Sequence, residues 1–319
     1  MQITPDQRRL LDLCAIRVAD NSIDWSLLAR EATRPAGLER LYAGQITECS
    51  GIAAEARDLL AVGLEHVGAA SERVEAELAA AAEVGARLVT VLDDDYPANL
   101  RLIPNLPPFL FIRGEGPRVQ DLRSVCVVGT RNPTDRGLGQ ARLMARLLTE
   151  AGVTVVSGLA KGIDTAVHRA TLDYGGRTVA VVGTGITRTY PSENKGLADE
   201  ICRNCAVVSQ FWPTASPARW TFPRRNAVMS GIAQGTVVIE ASATSGAKMQ
   251  ARLALEHGKL VFLTQSLVTD QVWARRYLER GAVEIADVAQ VLKHLAEPLR
   301  VREAAEQRRR VAQLTLESV

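Results

Sequence analysis

Six short apolar runs, rich in β-branched residues, recur from residue 125 onward: 125–128, 153–156, 179–182, 206–208, 237–239 and 260–263. Most are separated by ten or more residues of helical pattern. A strand with one wet face alternates apolar and polar residues, whereas these runs, Thr154 apart, are continuously apolar, as suits strands covered on both faces. Strands alternating with helices in this way predict an α/β fold with a doubly wound, mostly parallel sheet. Ligands of such sheets bind where the strands end at their carboxyl termini, so the residues following each run are the first place to look for a site.

The rest of the chain has a different rhythm. Over residues 1–85, Leu10, Leu11, Leu13 and Cys14, then Leu27, Leu28 and Ala29, then Leu59, Leu60 and Leu64 fall at helical spacing, broken by Pro35 and by glycines at 37, 44 and 51. This predicts a small all-helical domain. Residues 86–123 hold two further strand-like runs, 87–92 and 108–112, read as a linker with edge strands; the sheet domain extends to residue 293. Residues 294–319, with Arg302, Arg308, Arg309 and Arg310, form a charged helical tail. No segment approaches the ~20 apolar residues that span a bilayer and no secretory leader opens the chain, so a cytoplasmic location without membrane attachment is expected.

Charge divides along the same boundary. Residues 1–100 contain 9 Lys or Arg against 17 Asp or Glu, a net of −8; the remaining 219 contain 29 against 19, a net of +10. The sheet domain is therefore the part expected to face a polyanion.

The strand ends support this. The first run leads into Gly129-Thr130-Arg131-Asn132-Pro133, where a glycine permits close approach, the following helix offers free N–H groups and a positive dipole, and Arg131 provides a fork for phosphate. The second leads into Ser157-Gly158-Leu159-Ala160-Lys161-Gly162-Ile163-Asp164. Here Ser157 and Gly158 can present a hydroxyl and N–H groups to an anion, Lys161 adds a point charge, and Asp164 can cap the next helix or orient a base. Tight strand-to-helix packing is the plainer use of Gly158 and Gly162. The third leads into Gly183-Thr184-Gly185 and then Tyr190-Pro191-Ser192-Glu193-Asn194-Lys195, whose glycines permit close approach and whose tyrosine can stack on a base. Phe211-Trp212 and Trp220-Thr221-Phe222-Pro223-Arg224-Arg225-Asn226, read as loop, place aromatics beside paired arginines. Stacking at about 1–3 kcal/mol per base, with cations along the backbone, is how single strands are held. Ser245-Gly246 forms another small-residue turn before a helix.

Other chemistry is poorly represented. Glycines at 129 and 137 do not complete a dinucleotide fingerprint, and no Walker loop, metal-binding HExxH or nucleophile elbow occurs. Cys202 and Cys205 form a lone CxxC without a second ligand pair, so neither a metal nor a cofactor is expected. Glu240 ends a strand and invites a catalytic reading, but no catalytic constellation accompanies it.

Taken in order, Tyr96-Pro97, Gly129-Thr130-Arg131, the block from Ser157 to Asp164, Tyr190-Pro191, the Phe222 to Asn226 segment and Ser245-Gly246 resemble the DNA-processing protein A (DprA/Smf) family, over about residues 85–293. The resemblance implies an extended Rossmann-like domain, preceded by a SAM-like helical domain, that binds single-stranded DNA, forms a homodimer and hands DNA to the RecA recombinase during natural transformation, without catalysis. By position it assigns Arg131, Lys161, Arg225 and Asn226 to the DNA-facing set. Ser157, Gly158, Lys195, Phe222 and Arg224 join the expected interface, supported by Gly129, Thr130, Asp164, Gly183, Gly185, Ser245 and Gly246. The chain departs from the family where Pro-Gly after the last apolar run becomes Thr264-Gln265, so partner functions mapped to residues 264–278 are less firmly implied than DNA binding. Two other readings stay open: a small-nucleotide sensor of the same fold in defence or signalling, and a nucleotide hydrolase using Glu240 or Asp164.

Overall fold

The computed structural model describes residues 1–317 except Asp20, with the side chains of His66 and residues 308–317 outside the description; the expected charges of Arg308, Arg309 and Arg310 fall there. The N-terminal segment forms α1 (Pro5–Ala15), α2 (Trp25–Ala32), α3 (Gly37–Tyr42), α4 (Gly51–Gly63) and α5 (Val67–Glu83). Local chemistry sets where α1 begins. Thr4 Oγ1 accepts from Gln7 N at 3.2 Å, Gln7 Oε1 accepts from Thr4 N at 2.8 Å, and Pro5 occupies the first helical position, where no N–H is needed.

Nine strands then build one sheet: β1 (Arg87–Thr90), β2 (Phe109–Gly114), β3 (Ser124–Val128), β4 (Thr154–Ser157), β5 (Thr178–Val181), β6 (Ala206–Ser209), β7 (Gly235–Val238), β8 (Leu260–Thr264) and β9 (Val283–Ile285). Their order is β1-β2-β6-β5-β4-β3-β7-β8-β9, parallel throughout except for β1 and β2. All six apolar runs are strands of the expected α/β, Rossmann-like sheet. Of the two leading runs, β1 is an edge, whereas β2 pairs with both β1 and β6 and is internal. Strand β9 escaped the sequence reading because Val283-Glu284-Ile285 is short and carries a charge.

Alternate residues of β3 enter separate cores, as burial on both faces requires. Val125 and Val127 pack with α6 (Asp135–Glu150), α7 (Ile163–Asp173) and α13 (Val288–Leu292); Cys126 and Val128 join the larger core on the other face. That larger core includes α8 (Lys195–Asn204), α9 (Thr221–Ile232), α10 (Gly246–Glu256), α11 (Gln265–Asp270) and α12 (Val272–Leu278), and continues into Leu10, Leu27 and Leu60 of the N-terminal helices. A last helix, α14 (Pro298–Glu317), ends the described chain. No helix among the described residues is long and apolar enough to cross a membrane.

The chain winds outward from β3 through β4, β5 and β6, then returns to β7 on the other side of β3. The switch point therefore lies between β3 and β7, and their carboxyl ends open the crevice where this fold binds ligands.

Candidate nucleic-acid interface

Residues from the stretches 129–131, 158–164 and 222–226 meet at this crevice. Arg131, Asn226, Ser245 and Gly246 help line a cleft of about 500 Å³ beside the ends of β3 and β7. A smaller adjoining pocket is lined by Gly158, Lys161, Gly183 and Tyr190, and Arg131, Phe222 and Arg225 border both.

The groups facing solvent combine charge with aromatic surface. Exposed Arg131 lies with its Cζ 5.8 Å from the centre of the Phe222 ring, and Tyr190, 45% exposed, tilts against the same ring at 5.8 Å. Farther along, Arg224 lies 5.1 Å over Trp220, itself 57% exposed. Lys195 is exposed at the start of α8, and Lys161 is ion-paired with Glu193. Both members of that pair are more than half exposed, so solvent screens the pair and leaves Lys161 available to a competing phosphate.

Several expected contacts are instead internal. Residues 222–226 are not loop but the first turns of α9, which tolerates Pro223 there because the N–H groups of a helix's first turn have no intrahelical partner. The helix turns Arg224 outward and Arg225 inward. Arg225 is only 6% exposed; its guanidinium donates to the carbonyls of Gly158 and, at 2.8 Å, Val181, and to Asn226 Oδ1 at 3.0 Å. Asn226 is 5% exposed. A Cβ on Gly158 would overlap the Arg225 guanidinium, so that glycine serves packing at this contact. Ser157 is fully buried and its Oγ donates to Val127 O at 2.7 Å, joining β4 to β3 rather than meeting an anion. Phe211 and Trp212 are likewise core residues.

Two sets of N–H groups expected to meet an anion, at the start of α6 and in the turn between β4 and α7, are already occupied. At α6, the Glu240 carboxylate accepts from Thr134 N at 3.2 Å and Thr134 Oγ1 at 2.9 Å, while Thr134 Oγ1 caps Gly137 N at 3.1 Å. In the turn between β4 and α7, buried Asp164, from the first turn of α7, accepts from Gly158 N at 3.2 Å and Ala160 N at 3.4 Å, while Ile163 N of α7 donates to Thr130 O at 3.2 Å. Burial raises the Asp164 pKa, opposed by the charge of Arg225 and by these backbone donors. Each carboxylate takes the place in which a ligand phosphate would lie.

The supporting glycines act through backbone contact. A Cβ on Gly129 would collide with Ile163, one on Gly183 would approach the Phe222 ring at 2.9 Å, and one on Gly185 would meet the carbonyls of Trp212 and Pro213. Thr130 N donates to Glu240 O at 2.7 Å, and Ser245 caps α10 through Ala247 N at 3.1 Å. Sequence reasoning named Trp220 among the aromatics without separating it, as the exposed one, from buried Phe211 and Trp212, and it missed Glu240 as a plug; the position of Glu240 at a strand end was the available signal. No group of three or more His, Cys, Asp or Glu that could hold a metal occurs among the described residues.

A family model described as DNA recombination-mediator protein A matches residues 87–296. The DNA processing protein DprA of Bacillus subtilis is 32% identical over 222 residues, 69% of this chain and 75% of the relative. The putative DNA processing protein DprA of Mycobacterium tuberculosis is 32% identical over 299 residues, covering 86% and 75%. Alignments with the curated relatives span 45% to 75% of their lengths. Among solved structures, Streptococcus pneumoniae DprA superposes with a TM-score of 0.70 at 27% identity, covering 93% of this chain and 99% of that one. DNA processing protein A of Helicobacter pylori, whose structure addresses its single-stranded DNA binding mode, gives 0.59 at 23% identity, covering 66% and 97%.

Proposed function

The chain belongs to the DNA recombination-mediator protein A family, and on that premise we propose that its crevice binds single-stranded DNA. The observation that carries this reading is the cluster of exposed Arg131, half-buried Phe222 and exposed Tyr190 above a switch point where carboxylates already hold the N–H groups at the start of α6 and in the β4–α7 turn. Bases stack on Phe222 and Tyr190, while Arg131, Lys161 and Lys195 meet phosphates; Arg225 and Asn226 act from beneath, fixing the surface on which the strand lies. The single-stranded DNA binding of the Helicobacter pylori protein supports the same assignment.

Around that interface, residues 86–293 form the DNA-binding domain, residues 1–85 a helical domain and residues 294–319 a tail. The protein acts without catalysis, in the cytoplasm and as a homodimer, protecting DNA and assisting its transfer to RecA. Family membership is the support for the dimer and the recombinase step.

The direct test is titration of the purified chain with oligo-dT at several salt concentrations, followed by fluorescence anisotropy. Arg131→Ala should weaken binding about tenfold near 0.1 M salt and reduce the salt slope by about 0.7, one single-strand phosphate contact. Phe222→Ala should cost about 1–3 kcal/mol, one stacked base. Wild-type affinity and slope in both variants would refute the site, and tighter binding of a mononucleotide than of the oligomer would select the nucleotide-sensor reading.

A further inference from the structure

The acidic N-terminal segment contributes two cations beside the basic half of the molecule. Arg17 follows α1 and Arg73 lies on α5, and both are exposed. Arg73 Cζ stands 5.7 Å from the Trp212 ring. Next to Trp212 in the chain, Phe211 meets Trp220 edge-on at 5.8 Å, and Arg224 covers that same Trp220. Partial burial, then the charges of Arg73 and Arg224, lower the pKa of Arg17. Among the described residues, no ion pair joins Arg17, Arg73 or Arg224 to an acid, whereas Arg8, Arg9 and Arg30 of the same helical segment are each paired.

This proximity is built in. Glu77, on α5 one turn after Arg73 and 8% exposed, accepts from Thr214 N at 2.9 Å and Thr214 Oγ1 at 2.8 Å. From the crevice side, Arg188 Nε donates to Thr214 O at 2.8 Å. One loop residue, six positions before Trp220, thus ties α5 to the loop that leads to it. Like charges on one surface, with no ion pair among the described residues, repel one another, and a polyanion relieves that repulsion. Beside an exposed indole, they have the composition of a single-strand platform.

We propose that the strand leaving the crevice at Phe222 continues over Trp220 and Arg224 onto Arg17 and Arg73, making the helical segment the second half of the DNA track. The proposal rests on the reading that the crevice takes single-stranded DNA. An oligomer confined to the crevice does not reach the helical segment; a longer one does.

The test uses the full chain, wild type, R17A/R73A, R17K/R73K and R131A, with oligo-dT of roughly 6 and roughly 20 nucleotides, lengths chosen around the few to sixteen nucleotides typical of single-strand sites. In R17A/R73A, affinity for the long oligomer should fall roughly 10- to 25-fold at 0.1 M salt and the salt slope by about 1.4, two phosphates at about 0.7 each, with the short oligomer unaffected. R17K/R73K should keep most of the slope because the charges remain. The extension is overturned if R17A/R73A binds the long oligomer with wild-type affinity and slope while R131A does not. It is equally overturned if short and long oligomers weaken alike in R17A/R73A. Wild-type binding by R131A as well would remove the crevice reading, and the extension with it.

Discussion

Arg225 and Arg224 are sequence neighbours with opposite tasks, and α9 decides which has which. Read as a loop, residues 222–226 offer two equivalent cations. Read as a helix beginning at Thr221, the phase that buries Thr221, Arg225, Val228 and Ile232 leaves Arg224 outside. The pair was legible in the sequence as a basic element, but its polarity depended on a helical start hidden by Pro223. Arg225→Ala should therefore cost about 3 kcal/mol or more in denaturant unfolding, since it strips donors from the Gly158 and Val181 carbonyls and leaves Asp164 with less compensation. Arg131→Ala should leave unfolding unchanged, so the two variants separate a supporting role from a DNA contact. His168 adds a pH signature. It is fully buried with Nδ1 2.7 Å from Thr178 Oγ1, and burial, reinforced by Arg225, lowers its pKa to about 3. A folded-state pKa below the unfolded ~6.5 means that this contribution is present above pH 6.5 and is lost as pH falls toward 3. Stability should drop by about 2 kcal/mol between pH 7.5 and 5 from this ring alone, and urea unfolding of His168→Gln should show a correspondingly flatter profile.

At the scale of elements, the strands were the most legible feature, because burial on two faces forces an apolar run that few other structures need. The helix N-termini were the least legible. Thr134 announced the cap of α6, but the carboxylate completing it comes from Glu240, 106 residues away, and no local pattern reports that approach. Likewise, the glycines of 183 and 185 were readable as sites of close approach, but not as sites where the approaching group is Phe222 or the backbone of Trp212 and Pro213. Glu240→Ala should uncover the α6 terminus at a cost of about 1 kcal/mol, comparable to losing a cap. It should also create an anion site: added sulfate would then raise the Tm of the variant more than that of the wild type, as differential scanning fluorimetry can show.

Across the whole molecule, the helical segment and the sheet share one apolar core. Trp25 of α2, Phe109 of β2 and Trp212 form a mutual cluster, with centroids 4.9 Å apart for Trp25–Phe109 and Phe109–Trp212 and 5.8 Å for Trp25–Trp212. Division into helical and sheet segments was visible from periodicity; their docking was not, because its polar link joins Glu77 and Thr214 across 137 residues. Trp212→Ala should cost about 3–5 kcal/mol, and far-ultraviolet circular dichroism and tryptophan fluorescence of the wild type should report coincident unfolding transitions. A departure from coincidence would mean that the two segments unfold separately.

The carboxylates at the start of α6 and in the β4–α7 turn also bear on what the crevice can ignore. A mononucleotide presents its recognition as one dense phosphate cluster, and the two most obvious cradles for such a cluster are filled by the chain's own oxygens. What remains is a row of separated, individually weak contacts, each of which a small competitor can satisfy only once. Affinity in such an arrangement grows with the number of linked phosphates and bases, so under the proposed function the surface would read polymer length rather than chemical identity. Abundant monomers would compete poorly for it even at concentrations far above that of the strand.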